Sequence, residues 1–303
     1  KSIVRNEKVA HVTTNGKGYT HFYPILGKAQ SHEGLMNFIH EVGVPEHLVT
    51  DGAKELGSME TWQSSWNKVV KKYAIQQTWI QPYCWWQNAA EREISEIRKD
   101  IRYFTRMKNS PRRLWAFLGA YCVGKRTVTS LGIGSNMGRT GFEIVKGYTP
   151  DISIYLDHEW YQFVYWYGGK DKERHLGRWC GPARSDYGAG DCYYILDKSG
   201  KIHVTNTTQN IPADDLTRDR LREMDQFDES IESKIGEKVK VGLKWVQEQY
   251  PEPDENLFSY EEADELRPNE PEALIPDADE RTPEGYDEYI GCEVLLPKGD
   301  ELL

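Results

Sequence analysis

Two carboxylates occupy positions where the side chains of α/β proteins commonly meet a ligand. Asp51 ends the apolar run "EHLVTD", which predicts a short buried strand, and Glu91 lies in the first turn of a long predicted helix. Ligands of open α/β sheets bind at the carboxyl ends of strands, and two converging carboxylates can hold Mg²⁺ while leaving positions for phosphate oxygens. The positions of Asp51 and Glu91 therefore predict that both carboxylates can bind Mg²⁺ beside a phosphate group.

The predicted helix that begins near Gln87 has a basic face. Counted from Glu91, one face contains Ser95, Arg98, Arg102 and Arg106. An adjacent apolar stripe contains Ile94, Ile97, Ile101 and Phe104. The basic face suits a phosphate backbone. A purely structural explanation stays open, because a glutamate in a first helical turn favours the helix dipole and arginine is a good helix former.

The elements that would position these residues alternate between strand and helix over residues 1–130. Two β-prone runs flank Asn15-Gly16, which is a strong hairpin signal, and Ser31 is expected to begin a helix. The order β-β-α-β-α-β-α-α predicts a mixed α/β layer structure. After it we predict an extended linker over residues 131–158 and a small β-barrel-like module over residues 159–212.

Charge is unevenly distributed along the chain. Residues 1–210 contain 28 Lys and Arg and 20 Asp and Glu, whereas residues 211–303 contain 10 and 28. Such composition favours a solvated chain, so we predict an acidic, largely disordered spacer over residues 213–303, with a short helix near residues 214–225. The five scattered cysteines do not indicate a disulfide framework, and no apolar run approaches membrane-spanning length.

Several motifs resemble those of retrotransposon and retroviral integrases. "VTDGAKEL" resembles the signature Asp-Asn-Gly-x-Glu-Phe, with Asp51, Glu55 and Leu56 in register. "PYCWWQNAAER" resembles Pro-Tyr-x-Pro-x-Gln-Asn-Gly-x-Ala-Glu-Arg and ends on Glu91 and Arg92, after a gap of 39 residues that suits the family. Downstream, "TGFEIVKGYTPDIS" resembles the segment that follows the core in copia-type elements. The chain thus resembles the catalytic core and C-terminal region of a copia-type LTR retrotransposon integrase, truncated at its N-terminus.

This resemblance implies an RNase H-like core with a mixed five-stranded sheet, whose first strand lies before Lys1 or has been lost. It implies that Asp51 and Glu91 are catalytic residues and metal ligands. In the intact protein they would help to hold two Mg²⁺ (or Mn²⁺) ions that support trimming of DNA 3′ ends and their transfer to target DNA. Gln87 and Asn88 would border the DNA groove, and Arg98 and Arg102 would bind phosphates. The expected partners are the DNA ends of the retrotransposon, target DNA and further copies of the chain. No membrane partner is expected. The expected location is nuclear, after synthesis in the cytoplasm as part of a polyprotein.

The sequence departs from the family pattern at the first catalytic position. The family has three acidic residues, the first on the opening strand, yet residues 1–50 contain no aspartate. We therefore expect this chain to catalyse poorly on its own. Two alternatives stay open: a non-catalytic DNA-binding or scaffolding derivative of an integrase, and another RNase H-like nuclease. A zinc site is disfavoured, because the spacings of its candidate ligands match no common zinc motif: His175, Cys180, Cys192 and His203.

Overall fold

The computed structural model describes most of the first 235 residues and a short segment near the C-terminus. The described residues are 2–3, 6–51, 53, 56, 64–80, 88–129, 136–168, 173–183, 192–235 and 294–295. Their helices and strands form a mixed α/β structure. No helix in these ranges has the length and apolar composition needed to cross a bilayer.

The chain opens with the predicted β-hairpin. Strands β1 (Val9–Thr14) and β2 (Thr20–Ile25) pair antiparallel along their whole lengths. In the turn, Gly16 has φ = +66°, and the Asn15 side chain accepts two backbone N–H hydrogen bonds. Both are features for which glycine and asparagine are selected in turns. Helix α1 (Ser31–Glu41) follows and packs against both strands.

A β-α-β unit comes next and contains the first candidate carboxylate at its edge. Strand β3 (His47–Thr50) and strand β4 (Gln76–Trp79) are parallel, with helix α2 (Ser65–Lys72) between them in the chain. Ser64 caps α2, because its hydroxyl accepts the backbone N–H of Asn67 at 3.2 Å. The buried apolar side chains of this unit and α1 form one cluster: Leu35, Phe38, Leu48, Trp66, Val69, Val70 and Ile75.

The strands of the core differ from the predicted single five-stranded sheet. Within the described ranges, β1 and β2 form a two-stranded sheet, while β3 and β4 belong to a second sheet with β10 (Val294–Leu295). Strand β10 pairs antiparallel with the edge of β3 opposite to β4. One continuous sheet would require a strand bonded to both β1 and β3, and the described residues do not supply it. The two sheets are joined instead by α1, which contacts the hairpin and α2.

Two long helices connect this region with the second half of the chain. Helix α3 (Ala89–Met107) and helix α4 (Trp115–Thr127) pack against each other. Pro111 precedes a 3₁₀ turn that leads directly into α4, a position that suits proline because its fixed φ is compatible with a helix start. Helix α4 also packs against β2 and against the C-terminal sheet, so it is buried on several sides.

The C-terminal sheet is antiparallel and has five strands. They are β5 (Phe163–Gly168), β6 (Glu173–Pro182), β7 (Tyr193–Leu196), β8 (Ile202–Thr205) and β9 (Thr208–Asn210), in the spatial order β8-β7-β6-β5-β9. The largest core cluster lies between this sheet and α4. Its fully buried members include Leu114, Leu118, Trp160, Val164, Trp179, Ile195 and Leu196.

The segment predicted as an extended linker, residues 131–158, contains helical structure in its described part. Helix α5 (Gly141–Lys146) and a 3₁₀ turn (Ser153–Tyr155) occur there. A capping box begins α5: the Thr140 hydroxyl accepts the N–H of Glu143 at 3.1 Å, and the Glu143 carboxylate accepts the N–H of Thr140 at 2.7 Å. These reciprocal bonds satisfy backbone N–H groups that the start of a six-residue helix would otherwise leave without an acceptor. Because α5 forms, the prediction of an extended linker is wrong here.

The acidic segment predicted to be disordered from residue 213 instead begins with ordered structure. A 3₁₀ turn is followed by helix α6 (Arg218–Ile235), which is longer than the predicted short helix. The reason is an apolar stripe at helical spacing that the charged composition conceals: Met224, Phe227, Ile231 and Ile235, all buried. The remaining prediction, for residues 236–293 and 296–303, lies outside the described residues.

Arginines of the C-terminal sheet hold this acidic segment in place. The Arg178 guanidinium makes two hydrogen bonds to the Asp228 carboxylate on α6. The Arg174 guanidinium lies 4.1 Å from the centre of the Tyr165 ring and 3.4 Å from the Asp215 carboxylate. Bidentate and cation–π contacts of this kind add to the apolar docking of α6. Some of the carboxylates in the acidic region therefore serve as structural partners.

Candidate metal and nucleic-acid site

Asp51 lies directly after β3, and a glutamine on the neighbouring strand fixes the end of that strand. The Gln77 amide donates to the Thr50 hydroxyl at 2.8 Å and to the Leu56 carbonyl at 2.7 Å. The Asp51 carboxylate itself accepts the backbone N–H of Ala53 at 3.2 Å, which makes a tight Asx turn. The Asp51 side chain is therefore held at the carboxyl end of a parallel strand pair, as the sequence predicts.

Glu91 lies in the first turn of α3, as the sequence predicts. The Asn88 side chain caps this helix by accepting the N–H of Ala90 at 3.1 Å. Ala89 and Ala90 are buried, which anchors the helix start against the core. Glu91 itself is on the exposed side of the helix.

The titration of Glu91 is influenced by Asp51. The pKa of Glu91 is raised above its ordinary value, first by partial burial and second by the negative charge of Asp51. Like charges raise a carboxyl pKa in this way only at short range, since water and salt screen more distant charges. The charges of two carboxylates that are 40 positions apart in the sequence are therefore coupled in the fold.

A divalent cation suits such a pair, because it would relieve the repulsion that raises the pKa of Glu91. Mg²⁺ is commonly bound by one or two carboxylates, with water and phosphate oxygens completing the shell. In the part of the chain that the structure describes, no group of three or more His, Cys, Asp or Glu side chains could hold a metal ion. Binding of a metal by Asp51 and Glu91 stays a prediction.

The other acidic side chains of α3 are engaged in ion pairs. Glu93 and Asp100 each lie 3.5 Å from the Arg126 guanidinium on α4. Glu96 lies 2.7 Å from the Lys99 ammonium on the same helix. The positive partners in these pairs neutralise the carboxylates of Glu93, Glu96 and Asp100.

The outer face of α3 is therefore dominated by positive charge. Arg98 and Arg106 are exposed, and Arg102 is half-buried on the same side. Two large side chains are also exposed there, Tyr103 by 59% and Met107 by 63%. We call the surface formed by Arg98, Arg102, Tyr103, Arg106 and Met107 the α3 strip.

The predicted DNA-binding residues differ from one another in their accessibility in the structure. Arg98 and Arg102 lie on the α3 strip, off the buried Ile97 side of the helix, as expected from their spacing. Asn88 is only 8% exposed, and its side-chain oxygen is used as the helix cap, so it is less accessible than predicted. Gln87 lies outside the described residues. DNA contact by any of these four residues stays a prediction.

The Glu93–Arg126 pair is the feature of this site that sequence reasoning missed. A signal was present, because Glu93 and Asp100 are seven positions apart and share the helix side that contains Ile97. Two acids on the inner side of a helix call for a cation on its neighbour. Arg126, in the last turn of the largely apolar helix α4 and one quarter exposed, is that cation.

Comparison with solved structures finds distant likeness, whereas the other two comparisons find none. No family model matches the chain, and no curated protein matches it. Among solved structures, a chain of the cryo-EM structure of the simian T-cell lymphotropic virus intasome in complex with PP2A regulatory subunit B56 gamma is similar at a TM-score of 0.32. Identity is 15%, over 65% of this chain and 72% of that chain. Because the likeness is distant, the function must be argued from the residues of the site.

Proposed function

We propose that this chain is part of a metal-dependent polynucleotidyl transferase of the integrase class, with an RNase H-like core like that of copia-type elements. One observation carries the proposal: Asp51 directly follows strand β3, and Glu91 lies in the first turn of α3. In agreement with it, burial and, second, the charge of Asp51 raise the pKa of Glu91. The motif resemblance around both residues supports it. So does the α3 strip, which begins two turns after Glu91 and could follow a phosphate backbone.

In this proposal Asp51 and Glu91 would hold Mg²⁺ (or Mn²⁺), which supplies charge neutralisation and an activated oxygen nucleophile when bound. Gln77 keeps Asp51 in place through Thr50, and Asn88 fixes the first turn of α3, so the two carboxylates are positioned before any ligand binds. Arg98 and Arg102 would bind phosphates of DNA ends or target DNA. Self-association and a nuclear location belong to the same proposal.

A second function is favoured by the incomplete set of carboxylates. The described residues contain no third acidic ligand beside Asp51 and Glu91. A chain with two carboxylates and an intact α3 strip could bind DNA without cleaving it, as a scaffolding derivative of an integrase. Metal binding and DNA binding must therefore be tested separately.

We expect Fe²⁺, used in place of Mg²⁺, to direct oxidative cleavage of the backbone to the neighbourhood of residues 51 and 91. Glu91→Gln or Asp51→Asn should abolish these cuts, because each removes one of two anionic ligands. Cleavage should increase with pH, since the raised pKa of Glu91 makes protons compete with the metal. The protein is treated with ascorbate and peroxide, and the cut positions are mapped by mass spectrometry. These positions distinguish metal bound at Asp51 and Glu91 from metal bound by the acidic C-terminal region.

Glu96→Gln is the matched control for the cleavage experiment, because Glu96 is another acid of α3 that is paired with Lys99. This variant should be cut like the wild type. Equal loss in all three variants, or cuts that are unaffected by Glu91→Gln, would contradict a metal site at Asp51 and Glu91.

The α3 strip should dominate the electrostatic part of DNA binding. Replacing both Arg98 and Arg102 by Ala should lower the slope of log affinity against log salt by about 2, because two phosphate contacts are lost. Sequence preference should not change, since phosphate contacts carry no base information. The measurement is duplex-DNA affinity over a salt series with the whole chain.

Arg218→Ala with Arg222→Ala gives the matched control for charge. These arginines have the same spacing of four on an exposed helical face, but they lie on α6. The control should keep the wild-type slope. If both double variants change the slope equally, DNA is responding to net charge and the α3 strip has no special role.

A further inference from the structure

Tyr103 exposes an unusual amount of aromatic surface at one border of the α3 strip. Its side chain is 59% exposed, directly after Arg102 and three residues before Arg106. Burying such a ring normally contributes stabilisation in proportion to its apolar area. On this surface most of that stabilisation is not realised within the chain, so a planar ligand could recover it.

The Tyr103 ring rests on an ordered aromatic base. Its centre lies 5.4 Å from that of Phe104, with the two rings nearly perpendicular at 80°. Phe104 in turn lies 6.0 Å from the buried Tyr121 of α4. The Lys125 ammonium lies 5.9 Å from the centres of both the Phe104 and Tyr121 rings. Tyr103 is thus attached to a packed support, which reduces the ordering cost of stacking a ligand on it.

The charges around Tyr103 favour a polyanion. Arg106 lies one helical turn from Tyr103 and is exposed, while Glu93, Asp100 and Glu96 are engaged in ion pairs. An exposed aromatic ring beside an arginine is typical of surfaces that bind single-stranded nucleic acid, where bases stack on rings and phosphates contact the cations.

We infer that Tyr103 stacks on an unpaired base of a nucleic acid whose phosphates lie along the α3 strip. This surface then prefers single-stranded DNA, or the opened end of a duplex, to intact duplex DNA. In an intact duplex the faces of the bases are already stacked and cannot contact the ring. The inference rests on the proposed function and narrows its substrate to DNA with unpaired bases.

The test compares two labelled DNAs, an oligothymidine of about 15 nucleotides and a blunt duplex of about 15 base pairs, by fluorescence anisotropy with the whole chain. Tyr103→Leu should weaken binding of the single strand by between about fivefold and a hundredfold, the range for loss of one stacked base. Duplex affinity should change by less than about twofold. Tyr103→Phe, which keeps the ring, should bind both DNAs like the wild type.

Tyr148→Leu is the control, because Tyr148 is 62% exposed and lies outside α3. It should leave both affinities unchanged. Equal losses for single strand and duplex, or no loss in Tyr103→Leu, would overturn the inference while leaving the proposed function intact. A wild-type chain that binds neither DNA would instead overturn the proposed function.

Analytical sedimentation of the same variants measures their mass in solution and tests whether a second copy of the chain occupies this surface instead. Exposed Tyr103 and Met107 are one helical turn apart and could serve as apolar anchors for a second copy of the chain. If Tyr103→Leu lowers the mass in solution and leaves single-strand affinity unchanged, the surface joins copies of the chain and the stacking inference is wrong. Unchanged mass with selective loss of single-strand binding supports it.

Discussion

Replacing Arg126 by Met is expected to lower the free energy of unfolding by about 3 kcal/mol, the lower end of the range for breaking a buried ion pair. The Arg126 guanidinium lies 3.5 Å from both Glu93 and Asp100, and the Glu93 side chain is only 10% exposed. Burial raises the pKa of Asp100, an effect that the charge of Arg126 opposes. Without Arg126 the two carboxylates must be protonated or unpaired. Asp100 stays about one third exposed, which limits the loss.

A double-mutant cycle separates this ion pair from simple packing. Urea unfolding of Arg126→Met, Glu93→Gln and the combined variant gives the coupling energy, and the combined variant should recover more than about 1 kcal/mol. Lys99→Met, which breaks the exposed pair with Glu96, should cost less than about 0.5 kcal/mol. Additive single losses would mean that Glu93 and Arg126 do not interact.

The same ion pair explains why Glu91 faces the candidate site. Residues two positions apart on an α-helix point about 200° apart. When Glu93 is held toward Arg126 on α4, Glu91 must point to the opposite side, away from α4. The orientation of α3 about its axis is thus fixed by a buried pair, and the candidate ligand follows from it.

The residues that sequence analysis located best are those whose signals are local. The hairpin follows from Asn15-Gly16, and the position of Asp51 follows from an apolar run that ends on a carboxylate. Glu91 follows from the start of a strongly periodic helix. Such signals need only the chain's near neighbours, because turn conformation and strand or helix periodicity are encoded within a few residues.

The features that sequence analysis missed depend on distant partners. The carboxylates Asp215 and Asp228 look like part of a solvated acidic segment until Arg174 and Arg178 of the C-terminal sheet are seen beside them. Average composition counts these charges but carries no information on pairing. The buried stripe of α6 was concealed in the same way, because four apolar residues are few among so many charged ones.

Helix α5 was also missed by sequence analysis, although the signal for it, a capping box, is local. The Thr140–Glu143 spacing is that of a capping box, although glycines and a proline lie close to it in the sequence. Short helices are marginal by propensity, so their caps decide whether they form. For this segment the cap was the stronger signal.

Acidification is expected to destabilise the N-terminal region through His11. His11 lies on β1 against α1, where a Cβ added to Gly34 would come within 2.5 Å of the His11 side chain, and its ring centre is 5.6 Å from that of Trp66. The pKa of His11 is lowered to about 3, first by burial and second by the nearby His21. The folded protein therefore resists protonation of this ring, whereas the unfolded chain accepts a proton near pH 6.5.

The direction of the effect follows from this difference. The stabilisation is complete above about pH 6.5, where His11 is neutral in both states, and it is lost as the pH falls from there toward about 3. Between pH 7 and pH 5 the unfolding free energy should fall by about 2 kcal/mol on account of His11. This is an upper value, because part of the residue is accessible to water.

Urea unfolding of the wild type and of His11→Gln at pH 7, 6 and 5 measures the effect. His11→Gln should be less stable at pH 7 but should lose less stability on acidification, because glutamine does not titrate. Burial also lowers the pKa of His47 and of His158, but both residues are present in each protein, so the difference between the two proteins isolates His11. His40→Gln, which removes an exposed histidine of α1, should keep the wild-type pH dependence. Parallel curves for His11→Gln and the wild type would show that the His11 ring is hydrated in solution, so that the hairpin and α1 pack less tightly than in the structure.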